Sequence, residues 1–148
     1  MNQQNVKIGP FHPEHMEQMV ELCRELVPAK CTIENFTRNY MEISNDKRYY
    51  IVEATVDGVM AGTAMGVIIT ALDGNFMVVE NVVVSGQWRG HGIGKLILQE
   101  LDRFAAENKC TYAILVSSGF RKNAHQFYEA MGYADDVRGF RKNYISEK

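Results

Sequence analysis

A chain of 148 residues with 46% hydrophobic and 23% charged side chains has the make-up of an ordinary globular protein of one domain. At that length it can bury roughly 70% of the surface its unfolded chain exposes, so no disulfide or metal staple is needed and wholesale disorder is excluded. A formal charge of −2, from 16 basic and 18 acidic side chains, argues against a dedicated nucleic-acid binder, which carries a strong basic excess.

Asn5 to Phe11 reads as a short strand. Pro13 suits the first turn of a helix, where its missing N–H costs nothing. Met16, Met19, Val20, Cys23, Leu26 and Val27 then recur at helical spacing, and Pro28 closes the helix. A second helix is predicted from Thr32, its cap, to about Ile43, with Ile33, Phe36, Tyr40 and Ile43 as the apolar face. Three strand-like runs follow. Arg48 to Val56 ends at Asp57-Gly58, a strong hairpin signal; Val59 to Thr70 ends at the turn Leu72-Asp73-Gly74-Asn75; Phe76 to Val84 is apolar except for Glu80 and Asn81.

The second half changes character. The glycine-rich stretch Arg89-Gly90-His91-Gly92-Ile93-Gly94-Lys95 opens a long helix whose expected buried stripe is Ile93, Leu96, Ile97, Leu101, Phe104 and Ala105. Thr111 to Val116 reads as a buried strand. Asn123 to Met131 reads as a helix stopped by Gly132. A final strand is expected within Val137 to Tyr144. The predicted order is β-α-α-β-β-β-α-β-α-β, an α/β domain with a mixed sheet, and no internal repeat or linker divides residues 1–148.

The glycine stretch carries the sharpest chemistry. A strand that turns through glycines into a helix leaves free backbone N–H groups at the positive end of the helix dipole, which is an anion site. Glycine lets phosphate oxygens approach the backbone closely, and Arg89, His91 and Lys95 add positive charge around it. The P-loop pattern fails, because Arg89 stands where its first glycine is required and Leu96 where its hydroxyl is required. The dinucleotide pattern fails as well, with Lys95 or Ile97 in place of its third glycine.

Arg89-Gly90-His91-Gly92-Ile93-Gly94 resembles the Q/R-x-x-G-x-G/A signature of the GNAT superfamily of acyl-CoA N-acyltransferases. Ala124-His125-Gln126-Phe127-Tyr128-Glu129-Ala130-Met131-Gly132-Tyr133 is similar to that family's A-x-x-F-Y-x-x-x-G-F/Y segment. The resemblance runs from about Asn75 to Tyr133. It implies a GNAT-like fold and acetyl-CoA as acyl donor, with backbone groups of Val82, Val83 and Val84 along the pantetheine arm and residues from Arg89 to Lys95 on the pyrophosphate. The family's asparagine at the start of the last helix falls on Arg121 here, with Asn123 two residues later and Ala124 beside it; either Arg121 or Asn123 is the implied contact.

Glu80 interrupts an apolar strand, read as sharing a face with Val78, Val82 and Val84. A carboxylate so placed is expected to lose solvation and to move toward the range of a general base. The resemblance implies the same role, since the family's base stands nine residues before the signature arginine, as Glu80 does before Arg89. Tyr128 offers a phenolic O–H, and the family's F-Y pair makes it the implied general acid for a departing thiolate.

The remaining features point to little chemistry. Cys23, Cys31 and Cys110 form no C-x-x-C pair and read as free thiols of a reducing cytoplasm. His12-x-x-His15 brings two imidazoles close together but lacks a third ligand, so no metal is expected. No apolar run reaches the ~20 residues of a membrane span. Met1 to Val6 lacks the features of a signal peptide, and no membrane partner is expected. The activity expected from the sequence is N-acetyl transfer to the primary amine of a small molecule by direct attack. The alternatives are an acyl-CoA-binding regulatory module without transfer and a protein N-acetyltransferase. Acceptor specificity is placed around Pro28 to Phe36. The family habit of dimerising makes a homodimer an implied partner, with the terminal strand as its means.

Overall fold

In a computed structural model, which describes residues 5–116 and 122–145, the chain opens as β1 (Val6–Pro10), passes through a 3₁₀ turn at Pro13–His15 and enters α1 (Met16–Arg24). After a second 3₁₀ turn at Pro28–Lys30 comes α2 (Ile33–Ile43), whose Thr32 cap accepts the Asn35 N–H at 3.1 Å. This satisfies one of the donors left open at a helix start. The strands β2 (Tyr49–Val56), β3 (Val59–Ala71) and β4 (Gly74–Val84) form the predicted meander. Asp57 (φ 51°) and Gly58 (φ 84°) close the β2–β3 hairpin with the two positive φ angles that match strand twist. Then follow α3 (Ile93–Glu107), β5 (Cys110–Leu115) and α4 (Lys122–Ala130). The residues group into two compact units, Met1–Leu115 and Val116–Lys148.

The first unit holds one sheet in the order β1-β2-β3-β4-β5, antiparallel throughout except for the parallel pair β4 and β5. The fold class is therefore the mixed-sheet α/β arrangement expected from the sequence. Register decides which side chains share a face. Val52 lies opposite Ala64 and Ala54 opposite Gly62, and all four point to α3. A Cβ on Gly62 would come within 2.8 Å of Ile97 Cδ1, 3.1 Å of the Val83 carbonyl and 3.2 Å of Ile93 Cγ2, so glycine lets the helix sit directly on the strand. The other face carries a second cluster of Phe11, Met19, Val20, Leu22, Cys23, Met60 and Val83, covered by α1.

Several details depart from the sequence reading. The buried residues of α3 are Ile93, Gly94, Ile97, Leu98 and Leu101, while Leu96 is exposed. At about 100° per residue Leu98 stays within the arc centred between Ile93 and Leu98, and Leu96 falls outside it. β5 is half open rather than buried: Thr111 and Tyr112 face solvent, and the Tyr112 ring stacks on Phe76 with centroids 5.0 Å apart. No strand forms within Val137 to Tyr144. Its large apolar residues Val137, Phe140 and Tyr144 are all exposed; as a strand, Val137 would lie on the face opposite Phe140 and Tyr144, and Lys142 would interrupt those two, so no apolar face is there to bury.

In the second unit, α4 ends as the sequence suggests. Gly132 takes φ 95°, and the Tyr133 N–H returns to the Tyr128 carbonyl at 3.0 Å. Among the described residues no helix is long and apolar enough to cross a membrane.

Replacing Gly62 with valine is expected to cost about 3 kcal/mol through overpacking, because backbone as well as side chains bounds the site. The midpoint of urea unfolding reads this; a loss under about 0.5 kcal/mol would show that α3 is not seated directly on β3.

Candidate functional site

The site begins with a break in β4. Thr63 pairs with Val83 and Met65 with Glu80, so β4 spends three residues where β3 spends two. The extra residue is a bulge at Asn81, whose φ of 56° is one that asparagine tolerates better than most side chains. The bulge changes the phase of the strand. Glu80 shares its face with Val78 and Val83, while Val84 lies on the opposite face with Gly62. Glu80 is also exposed, so the desolvation expected of a carboxylate inside an apolar strand is absent.

Beyond the bulge one edge of β4 is open. β5 pairs with β4 only from Asn75 to Val79, and no strand meets that edge at Glu80 to Val84 among the described residues. Ser85 donates its N–H to Ala61 of β3 at 2.8 Å. By the alternation of an antiparallel ladder, Val83 then faces β3, and the polar groups of Val82 and Val84 face the open edge. The Val84 carbonyl is met there by Arg89 Nε at 3.2 Å. Of the three valines implied in cofactor contact, Val82 and the N–H of Val84 offer the free edge. The Val83 side chain is buried in the core.

The strand leads directly into the glycine loop. A 3₁₀ turn at Gly86–Trp88 precedes Arg89, and Gly90 and Gly92 both take φ 81°. That angle is strained for any residue with a Cβ. Nothing lies within 4 Å of where a Cβ would stand on either glycine, so the backbone is open to approach. Gly92 caps α3, and its carbonyl accepts the Leu96 N–H at 3.2 Å. The N–H groups of Ile93, Gly94 and Lys95 precede that of Leu96, the first helix donor, and have no partner within the helix. Arg89, His91 and Lys95 are exposed around this opening, with the His91 ring edge-on to Trp88 at 5.5 Å. The arrangement suits a multiply charged phosphate group.

The anchor of this loop comes from a distant segment. Glu25, just past α1, accepts the Gly86 N–H at 3.0 Å and lies 3.5 Å from the Arg89 guanidinium. The contact links residues 61 positions apart, which no local pattern reveals.

The other expected site residues lie in the second unit or outside the described residues. Asn123 is exposed and Ala124 half-buried at the start of α4; Arg121 falls outside the described residues. Tyr128 is half-buried, with its ring 5.4 Å from Phe127 and 6.2 Å from Tyr133. Burial disfavours the thiolate form of the three cysteines. Burial, with Cys31 nearby, pushes Cys23 up to about 12, and burial raises Cys31 and Cys110 as well.

A second polar cluster was only half visible in the sequence. His12 and His15 meet Glu53 of β2, a buried carboxylate. Burial pushes Glu53 up, but the His12 backbone N–H and the two imidazoles outweigh it and hold the carboxyl below its ordinary value. Hydrogen bonding to Glu53, then its charge, raises His12. The available signal was an acidic residue in the otherwise apolar run Tyr49–Val56.

Comparison with known proteins agrees with the geometry. A model described as the Acetyltransferase (GNAT) family matches residues 15–133. The chain is similar to the solved structure of glucosamine-6-phosphate N-acetyltransferase from Arabidopsis thaliana, at 26% identity and TM-score 0.82, covering 95% of this chain and 99% of that one. It also shares its fold with a transcriptional regulator from Bacillus halodurans C-125, at 23% identity and TM-score 0.88 over 95% of this chain and 100% of that one. An aminoglycoside N-acetyltransferase solved in complex with CoA has the same fold, at 17% identity and TM-score 0.85 over 98% of each chain. With the family model spanning most of its length, and with the glycine loop and the bulged strand inside that span, the chain belongs to the acetyltransferase (GNAT) family.

Proposed function

We propose that the protein is an acetyl-CoA-dependent N-acetyltransferase acting on the primary amine of a small molecule. The observation that carries this reading is the continuity of two features. The open edge of β4 at Val82 and Val84 can pair with an extended amide-bearing arm, and it runs straight into the N–H cradle of Gly90 to Lys95. An amide arm joined to a pyrophosphate is the shape of CoA. A relative 26% identical acts on an amino sugar phosphate, which supports a small-molecule acceptor.

Acetyl-CoA supplies an activated acetyl thioester. In the proposed reaction Glu80 takes a proton from the acceptor ammonium, directly or through water, as its exposure permits. The amine nitrogen forms a bond to the acetyl carbonyl carbon while a backbone N–H near Val82 draws charge onto the carbonyl oxygen. The carbon–sulfur bond breaks, the Tyr128 hydroxyl gives its proton to the leaving thiolate, and the cationic nitrogen of the product loses its second proton to the tyrosinate so formed, directly or through water. Direct transfer is favoured because burial raises all three thiols, which works against the thiolate a covalent relay needs. The rival reading, a CoA-binding regulatory module, draws its support from the fold shared with a transcriptional regulator. The first reading also places the chain in the cytoplasm, where free thiols persist.

Thiol release across a panel of amino sugars, their phosphates and aminoglycosides tests the reading; acetyl-CoA binding with no turnover on any amine would favour the rival. Glu80→Gln is expected to lower kcat by about 10²-fold with the KM for acetyl-CoA unchanged. Unchanged turnover at every pH would remove Glu80 as the base. Tyr128→Phe is expected to lower kcat about tenfold or more, most with the acceptors of highest intrinsic reactivity, where thiolate departure limits the rate. Full turnover in that variant would contradict the general-acid role.

A further inference from the structure

We propose that His12, His15 and Glu53 form a binding site for one zinc-class divalent cation, separate from the acetyl-transfer site. His12 caps the 3₁₀ turn Pro13–His15 and His15 ends it, and the tight winding turns both imidazoles to the same side, with ring centroids 5.6 Å apart. Glu53 comes from the β2 strand, paired with Gly9 of β1 and Thr63 of β3. Its Oε2 is 2.9 Å from His12 Nδ1 and its Oε1 is 2.9 Å from His15 Nδ1. The three ligand atoms all lie within 4.8 Å of one another. Ligands about 2.0–2.2 Å from a tetrahedral zinc ion stand about 3.4 Å apart, so small rotations of the side chains seat an ion among them. His12 is the freest to make that adjustment, with 57% of its side chain exposed.

Three further observations support the assignment. Glu53 is 4% exposed, and a carboxylate buried to that degree needs a compensating positive charge. Its Oε1 also accepts the His12 backbone N–H at 3.0 Å, the kind of outer contact that orients a metal-binding carboxylate. The ligand set opens onto a cleft of about 410 Å³ lined also by Lys7, Gly9, Glu14 and Thr55, which leaves room for water or a heteroatom at the remaining coordination position. Two imidazoles and one carboxylate favour zinc and its transition-metal neighbours over magnesium or calcium, which prefer oxygen alone. A cation here replaces the two protons that the imidazoles otherwise share with Glu53, and it fastens the entry to α1 onto the β1–β2 edge. The acetyl-transfer loop follows β4, two strands further along the sheet from β2.

The full chain, stripped with a chelator, is titrated with zinc ion against a chromophoric competitor, and the zinc-loaded sample is examined by X-ray absorption at the zinc edge. The expected result is one equivalent per chain, ligated by nitrogen and oxygen only, with affinity falling roughly tenfold or more in His12→Ala and in His15→Ala. His12→Ala alters an exposed side chain and is expected to keep the fold, which circular dichroism checks. Absence of saturable binding overturns the proposal. So does sulfur ligation, which would place the ion on Cys23, Cys31 or Cys110, and so does unchanged affinity in both histidine variants.

Discussion

The single extra residue in β4 governs the functional half of this molecule. An antiparallel ladder that continued past Val79 with no bulge would keep one phase through to Val84. With Asn81 in the left-handed region, the strand shifts phase and bends as it leaves β5, whose pairing stops at Val79. The bulge comes directly after the exposed Glu80, and it sends the polar groups of Val82 and Val84 to an edge where β5 no longer pairs. An unpaired edge inside a sheet is normally a liability, and pairing with an extended ligand turns it to use.

The loop that follows depends on distant support. Gly90 and Gly92 make the winding possible, but Glu25 holds its entrance through the Gly86 N–H and the Arg89 guanidinium. α1 thus does more than cover one face of the sheet with Met19, Val20, Leu22 and Cys23; its C-terminal flank also supports the loop that precedes α3. On the other face, Gly62 and Gly66 allow Ile97 and Leu101 to lie against the strand, which fixes where α3 starts and so where its N–H groups point.

Local signals survived the passage from sequence to structure. The Asp57-Gly58 hairpin, the Thr32 cap, the stop at Gly132 and the glycine loop each follow from the chemistry of two or three neighbouring residues, and each forms as read. What failed depends on relations between distant segments. The phase of β4 after Asn81 is set by its pairing with β3, so Glu80 shares its face with Val78 and Val83 and not with Val82 and Val84. The partner of His12 and His15 stands 41 and 38 positions away on β2, which no spacing rule finds. The exchange of Leu96 for Leu98 in the α3 stripe follows from how the helix is rotated on its sheet, a matter of packing rather than of composition. The unformed strand at Val137 to Tyr144 shows the opposite error, in which β-favouring residues were read as a strand without the alternation that would give it a face to bury.

The central claim is that the β4 edge and the glycine loop together receive acetyl-CoA. Thermal stability of the full chain with and without acetyl-CoA tests it most directly, with ATP and NAD as phosphate-bearing controls. A ligand that binds only the folded state adds about 2.7 kcal/mol at a hundredfold excess over its dissociation constant. The account predicts stabilisation of that order with acetyl-CoA and none with the controls. No shift with acetyl-CoA, or a shift with ATP or NAD in its place, would contradict it.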